Sequence, residues 1–459
     1  MMTRQTFFVF TSGLLAALTL LPGPVAGQFS NSDEYSMIDY ASPATKNPIA
    51  RLHDAVASGE TTLDYKPGER GYLDSLLAAL DIDTTSQMMV FSPTSLQHKL
   101  ISPERPRAIF FNDTTFIGFV QNSSIVEVTT IDDDKGLVFY TFDNVPQDTK
   151  LFERADQTCL VCHDTQGTMG GGVPMLMALS SVYSSRNVPL KNYSGIGNVT
   201  DTTPLVDRWG GWYVTGRHGL QAHLGNILLA TPDDLDNLDD FRIWNLETMA
   251  GSKFMDPSPY PENTSDIVAL LVLEHQVTVQ NQITYIKFKA PAVLKRREML
   301  HELEAQSWAE LSEPAQRALT RMLDRLVQQL VFIDAVDYQS SISGNPDCVE
   351  QFMARGPVDG EGRSLREFDL RNRLMRYPLS YLVYTTDFNS LPVYVMDYVY
   401  DQMDAYLSGR IDFDGRSQYT LAERQAALEI LTATHPGFRS YLAARGPAGM
   451  NTAQLGSLR

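Results

Sequence analysis

Cysteine is scarce in this chain. Only three of the 459 residues are cysteine, at Cys159, Cys162 and Cys348. A disulfide scaffold needs several pairs, and a closed zinc site needs four ligands that usually come as two neighbouring pairs. Cys348 has no second cysteine and no histidine close to it in the sequence. The composition therefore argues against a disulfide framework and against a structural zinc site, so packing must supply the stability.

Positive charge is also scarce. The chain has 37 lysines and arginines against 55 aspartates and glutamates, which gives a formal net charge of -18 and a pI near 4.8. Nucleic acids and anionic membrane surfaces would be repelled at long range by such a protein. We therefore expect no nucleic-acid partner, and a protein partner should be basic or neutral.

Long apolar runs are missing after the first thirty residues, so we expect no transmembrane segment in the mature chain. Residues 1–27 have the three parts of a secretory signal peptide, namely Arg4, the apolar stretch 7–21 and the small residues 25–27. An uncleaved membrane anchor is the alternative, but the apolar stretch is short and is followed by Pro22 and Pro24. The sequence predicts a periplasmic or secreted protein.

The motif with the clearest chemistry is the pentapeptide Cys159-Leu160-Val161-Cys162-His163. Two thiols three positions apart on one helical turn can add to the two vinyl groups of haem, while the adjacent imidazole binds the iron. A redox-active C-x-x-C is the alternative, but such pairs usually follow a buried strand, and residues 152–158 have no buried strand pattern. The pentapeptide resembles the signature of c-type cytochromes. That resemblance covers five residues and implies one covalent haem c, held by Cys159 and Cys162 with His163 as proximal ligand.

Export and haem attachment support each other, because c-type haem is joined to its polypeptide outside the cytosol. Further segments are similar to parts of exported bacterial proteins that carry a single haem. They are residues 209–219, 364–370 and 376–384.

A second axial ligand for the iron has several candidates. His218 and His223 lie in or just after a dense tryptophan and glycine cluster, and His275 lies in a strongly apolar stretch. A histidine in such surroundings either is satisfied by a hydrogen bond or faces a cofactor. Arg217 could pair with a haem propionate or form an ordinary surface salt bridge. Three methionines are further alternatives as ligands: Met169, Met175 and Met177.

The element pattern changes along the chain. Short runs of β-branched and aromatic residues between 88 and 142, separated by turn residues, predict antiparallel hairpins. Helical patterns dominate from residue 265, with helices expected over 266–290, 293–311, 312–336, 365–377, 393–407 and 421–433. We therefore predict an α+β fold, with an antiparallel β-rich N-terminal half followed by a mostly α-helical C-terminal half. The predicted regions are a signal peptide (1–27), a helical lead-in (28–85), a β-rich haem-bearing region (86–260) and a helical region (261–459).

Three classes of function remain open. The first is an exported c-type haem protein that carries single electrons to or from a redox partner. The second is a haem enzyme of the peroxidase or oxygenase type, because electron carriage alone does not require so long a chain. The third is a haem-based sensor.

Overall fold

The computed structural model describes residues 33–68, 70–146, 152–164, 172–192, 198–251 and 254–445. The predicted signal peptide and Met169 lie outside the described residues. Among the described residues, no helix is both long enough and apolar enough to cross a membrane.

An antiparallel meander of six strands forms the larger sheet, in which each strand pairs with the next along the chain. Its strands are β1 Met88–Val90, β2 Arg107–Phe111, β3 Thr115–Val120, β4 Ile125–Asp132, β5 Gly136–Asp143 and β6 Phe152–Arg154. A smaller sheet has the order β8-β7-β9, from β7 Ser181–Ser184, β8 Pro189–Asn192 and β9 Leu228–Leu229. The predicted antiparallel hairpins are confirmed.

The larger sheet has two different faces. Along β2 and β4, fully buried residues alternate with half-buried ones, which is the period-two pattern of a strand with one packed side. The packed face belongs to the hydrophobic core and carries Ala108, Phe110, Val126, Val128 and Phe142. The other face, which we call the open face, carries Arg107, Ile109, Gly118, Glu127, Thr129 and Thr141.

Most of the helices lie in the C-terminal half. The helices are α1 Asp33–Met37, α2 Pro48–Ala57, α3 Leu73–Ala79, α4 Asp156–His163, α5 Ile267–Arg296, α6 Glu313–Leu330, α7 Pro346–Ala354, α8 Thr386–Asn389, α9 Val393–Leu407, α10 Leu421–Thr434 and α11 Pro436–Arg445. Helices α2, α4 and α5 contact the larger sheet. The fold is therefore α+β, with the antiparallel sheet in the N-terminal half and mostly helices in the C-terminal half. One cluster of buried apolar residues extends from Tyr35 to Leu442.

Local chemistry explains several helix boundaries. Asn47 caps α2, because its side chain accepts a hydrogen bond from the Ala50 backbone N–H at 2.9 Å. Thr420 and Glu423 form a capping box at the start of α10. The predicted helix over 393–407 is confirmed as α9.

Two predicted helices are wrong, and two others end in different places. The helix expected over 312–336 is α6, which ends at Leu330. Helix α5 passes through Pro291, where we expected it to end. A proline inside a helix costs about 3 kcal/mol, but burial of each large apolar side chain contributes about 1.5–3 kcal/mol. Phe288 and Leu294, on either side of the proline, are fully buried, so packing outweighs the lost backbone bond.

The other two differences involve left-handed backbone. Residues 365–377 form no helix, and Leu370 in their middle has φ of 54°. After α5 ends at Arg296, Glu298 has φ of 59°, and only short 3-10 turns follow at Leu300–Glu304 and Trp308–Glu310. A residue with left-handed backbone cannot continue a right-handed helix. Leucine and glutamate rarely adopt that conformation, so the sequence does not predict it at either position.

Candidate haem-attachment site

The C-x-x-C-H residues lie on α4, which packs against β5. Cys159 and Cys162 are three positions apart, and Cys159 and His163 are four, so at 3.6 residues per turn the three side chains fall within about 100° of arc. Leu160 is fully buried and anchors the adjoining side of the helix to the core. Cys159 is half-buried, Cys162 is exposed and both thiols are free. The predicted helical turn thus presents the two thiols and the imidazole together.

One ring nitrogen of His163 has a partner. Nδ1 lies 2.6 Å from the Met175 carbonyl oxygen and therefore donates its proton to it. This bond assigns the tautomer in which Nε2 is unprotonated and carries a lone pair. Among the described residues, Nε2 has no hydrogen-bond partner. It is the nitrogen that an iron ion would bind.

The Met175 carbonyl is itself held in place from α5. Asn281 accepts a hydrogen bond from the Leu176 N–H at 2.8 Å and donates one to the Leu176 carbonyl at 3.0 Å. Leu176 follows Met175 directly. This pair of hydrogen bonds therefore fixes the peptide group whose carbonyl orients His163. The Met175 N–H also donates to the His163 carbonyl at 3.1 Å.

The end of α4 is tied to two further segments. Asp164 accepts hydrogen bonds from the Tyr35 hydroxyl at 2.8 Å and from the Val173 N–H at 2.9 Å. Burial raises the pKa of the Asp164 carboxyl, and these donors oppose that rise. The helix terminus, α1 and the segment that begins at residue 172 thus hold one another in place.

The open face of the sheet lies beside α4, the helix that carries the C-x-x-C-H residues. Phe139, on β5, packs against the His163 ring with 4.8 Å between ring centroids. Strand register aligns Ile109, Gly118, Glu127 and Thr141 in one row across β2 to β5. Because Gly118 has no side chain, Arg107 on β2 can reach Glu127 on β4 and form an ion pair of 2.7 Å over β3.

Two polar atoms of this ion pair lack partners. Arg107 Nε and Glu127 Oε1 are buried and have no hydrogen-bond partner among the described residues. An unpartnered buried polar atom costs about 1–3 kcal/mol, so this ion pair carries a cost in stability.

The thiol environment disfavours a redox-active or zinc-binding pair. Burial, with smaller effects from Glu127 and Asp156, raises the pKa of the Cys159 thiol to about 12. Reactive C-x-x-C thiols have lowered pKa values, and zinc binds the thiolate. Among the described residues, no group of three or more histidine, cysteine or acidic side chains could hold a metal ion.

No family model, curated protein or solved structure matches this chain. The case for a cofactor therefore depends on the site itself. The residues fit haem in two respects: two free thiols and an imidazole share one side of α4, and the unprotonated Nε2 of His163 has no partner within the part of the chain that the structure describes.

His218 and His223 lie together, away from the signature residues in sequence. His218 donates from Nδ1 to the Gln221 carbonyl at 2.7 Å, and its Nε2 accepts from the Asn245 N–H at 3.1 Å. His223 accepts from the Gly225 N–H at Nδ1, so its Nε2 donates to His218 Nε2 at 3.2 Å. Burial lowers the pKa of both imidazoles. All four ring nitrogens therefore have partners, and iron ligation by either histidine remains a prediction that would require some of these bonds to break.

His275 is fully buried on α5 with both nitrogens occupied. Nδ1 donates to Asp201 at 2.7 Å, and Nε2 accepts from the Ser380 hydroxyl at 2.7 Å. Ser380, His275 and Asp201 are hydrogen-bonded in the order found in a serine nucleophile, its base and an orienting acid. Ser380 is fully buried, however, and its hydroxyl oxygen also accepts a hydrogen bond from the Leu382 N–H at the start of a 3-10 turn. This arrangement stabilises the core, and iron ligation by His275 also remains a prediction.

Arg217 pairs with Glu247 on the surface, where both side chains are largely exposed. A contact with a haem propionate therefore stays a prediction. We expected a role for Arg217 from its position beside His218. The sequence did not predict a role for four other residues, which are Arg107, Gly118, Glu127 and Asn281. Strand register and a distant helix bring those four residues to the site, and no local motif marks them.

Proposed function

We propose that this protein is an exported c-type haem protein that carries single electrons to or from a redox partner. The observation that carries the proposal is the arrangement of Cys159, Cys162 and His163 on one side of α4, with His163 oriented by the Met175 carbonyl. The cofactor would be one haem c per chain, bound covalently through the two cysteines. When bound, the haem iron supplies the one-electron chemistry.

The chain's own residues would hold and orient the haem. Cys159 and Cys162 would form the two thioethers, and Nε2 of His163 would be the proximal ligand. The hydrogen bond from Nδ1 to Met175 makes Nε2 more basic and fixes the ring plane, as outer partners of metal-bound histidines do. Asn281 acts as a positioning residue, because it fixes the peptide that accepts this bond.

The proposed partner is a basic or neutral redox protein in the periplasm or outside the cell. The net charge of -18 supports this choice, because complementary charge speeds the encounter of two proteins. A haem enzyme of the peroxidase or oxygenase type is the second candidate. The length of the chain favours it, since electron carriage alone does not require so many residues.

The test uses single serine variants of all three cysteines, expressed with a haem-attachment system. After denaturing electrophoresis, wild type should stain for covalent haem, and Cys159→Ser and Cys162→Ser should stain weakly. A double variant that carries both Cys159→Ser and Cys162→Ser should not stain. Cys348→Ser is the matched control, because Cys348 is also free but lies on α7. Equal staining of the double variant and wild type would contradict the proposal.

A further inference from the structure

We infer that a cleft between α5, α7 and the turn after β2 binds a small aromatic monocarboxylate, whose acid group displaces Asp113 from the buried Arg366. The cleft has a volume of about 480 Å³, counting its open mouth. Small-molecule sites usually have volumes of roughly 300–1,000 Å³. The residues of the C-x-x-C-H motif do not line this cleft, so the inference goes beyond the proposed function and does not rest on it.

Apolar side chains line the cleft from two parts of the fold. Val268, Ala269 and Val272 come from the first two turns of α5. Phe352 on α7 and Phe368 add two aromatic rings, which are stacked with 4.8 Å between their centroids. A flat aromatic ligand suits such walls, because aromatic rings gain energy from offset-stacked and edge-to-face contacts beyond the area that they bury.

The buried cation of the cleft is Arg366, whose side chain is 3% exposed. Its guanidinium carbon lies 4.7 Å from the ring centroid of Phe352 and 4.3 Å from that of Tyr381. Nη2 donates a hydrogen bond to Asp113, whereas Nε and Nη1 are buried without a hydrogen-bond partner in the described part of the chain. Such unpaired donors on a charged group are costly, and a second carboxylate would relieve that cost.

A buried arginine with a structural role looks different in this protein. Arg208 is also 3% exposed, and its Nη1 donates to Glu274 at 2.8 Å. Its Nε and Nη2 donate to the carbonyl oxygens of Thr203 and Asp201, at 2.7 and 3.0 Å. The fold therefore satisfies all three nitrogens of Arg208. It satisfies only one nitrogen of Arg366, as far as the described residues show.

Asp113 is the group that the acid of the ligand would replace. It lies on the turn between β2 and β3, it lines the cleft, and its side chain is 35% exposed. A partly exposed carboxylate can turn into water at small cost, because exposed ion pairs contribute little. Asp113 binds Arg366 through one nitrogen, whereas a carboxylate that enters the cleft can pair with two, which is the stronger arrangement.

The charge balance of the cleft selects a single negative charge. Four charged side chains line it, and they are Arg355, Arg366, Asp83 and Asp113. Their formal charges sum to zero. When Asp113 turns into water, one net positive charge remains in the cleft, and a monocarboxylate restores the balance. A dicarboxylate would leave an uncompensated negative charge in apolar surroundings, which is unfavourable.

The experiment titrates the purified protein with 2-naphthoate and with its neutral amide, 2-naphthamide, by isothermal calorimetry. Wild type should bind 2-naphthoate saturably and 2-naphthamide at least roughly tenfold more weakly. Arg366→Lys should weaken 2-naphthoate binding roughly tenfold, because lysine lacks the planar fork. Asp113→Asn should tighten it several-fold, because the competing carboxylate is gone. Arg208→Lys is the matched control: this arginine is equally buried but does not line the cleft, so binding should stay as in wild type.

A second measurement needs no variant. Cys348 lines the same cleft from α7, and burial raises the pKa of its thiol, so iodoacetamide should alkylate it slowly. Saturating 2-naphthoate should slow this alkylation several-fold further, and 2-naphthamide at the same concentration should not. Mass spectrometry of the peptide that contains Cys348 follows the reaction separately from Cys159 and Cys162.

The outcomes separate this inference from the proposed function. Absence of 2-naphthoate binding, equal affinity for the amide, or unchanged alkylation of Cys348 would each overturn the inference. Weaker 2-naphthoate binding in Asp113→Asn would also overturn it, because Asp113 would then support the ligand instead of competing with it. A chain that binds 2-naphthoate but carries no covalent haem would overturn the proposed function alone.

Discussion

At the scale of single residues, Asn281 connects α5 to His163, the proposed proximal ligand. Asn281→Ala removes the partner of the buried Leu176 N–H and should lower the free energy of unfolding by about 1–3 kcal/mol. It should also shift the midpoint potential of the haem, because the Met175 carbonyl is no longer fixed. Chemical denaturation and a redox titration measure the two effects.

Asn226→Ala is the control for this prediction. Asn226 forms the same pair of hydrogen bonds with the Val214 backbone, each 2.8 Å long, and its side chain is equally buried. The variant should lose at least as much stability, because Asn226 also has φ of 66°, which alanine disfavours, and it should keep the wild-type potential. If both variants kept that potential, Asn281 would have no positioning role.

The His218–His223 pair should make stability depend on pH. Burial lowers both pKa values, so the folded pair stays neutral where unfolded histidines, with pKa near 6.5, take up protons. As pH falls below about 6.5, the free energy of unfolding should therefore decrease, by at most about 1.4 kcal/mol per pH unit for each imidazole. This loss continues until the pH reaches the lowered folded values.

Urea unfolding at pH 7.5, 6.5 and 5.5 measures this slope. His223→Gln should flatten it, and His53→Gln on α2 should not. An identical slope in wild type and His223→Gln would show that the pair does not titrate as the structure implies.

What the sequence could predict about single residues follows from how local their chemistry is. The spacing of Cys159, Cys162 and His163 is local, and it predicted a helical turn that the structure contains. The partners of His163 are not local: Met175 is twelve residues away, and Asn281 acts from a helix more than a hundred residues later. No spacing rule reaches that far.

At the scale of elements, the open face of the sheet should set haem binding. Gly118→Leu would place a branched side chain where the Arg107–Glu127 pair crosses β3, and should lower the haem content several-fold while the sheet still forms. Gly118→Ala is the control, because its Cβ would meet Glu127 Oε2 and Arg107 Cδ at the ordinary contact distances of 3.4 and 3.5 Å. The haem-to-protein absorbance ratio, with circular dichroism to check folding, decides the matter. Full haem content in Gly118→Leu would exclude the open face as a haem contact.

Elements were predictable where period and capping agree. The five strands from β1 to β5 have alternating or fully apolar patterns between clear turns, and α10 begins at a capping box. The sequence pattern gave wrong helix boundaries where packing or left-handed backbone determines the structure. Burial around Pro291 carries α5 past a residue that usually ends a helix, and the left-handed Leu370 prevents one over 365–377.

At the scale of the whole molecule, one core joins elements from both halves of the chain. Tyr35 of α1 packs against Phe288 of α5 with ring centroids 5.3 Å apart, and Tyr35 also binds Asp164 at the end of α4. The helical C-terminal half is thereby connected to α4 through contacts of α5 with α1 and of α1 with the end of α4. The α+β order was predictable from the change in pattern near residue 265, whereas these contacts were not.

The central claim is that the chain carries one haem through thioethers at Cys159 and Cys162. The most direct measurement is the intact mass of the exported, purified protein after expression with a haem-attachment system, under denaturing conditions that remove any non-covalent ligand. The account predicts the polypeptide mass plus one haem, and peptide mapping should place that addition on the peptide that contains Cys159 and Cys162. A mass equal to that of the unmodified polypeptide would contradict it.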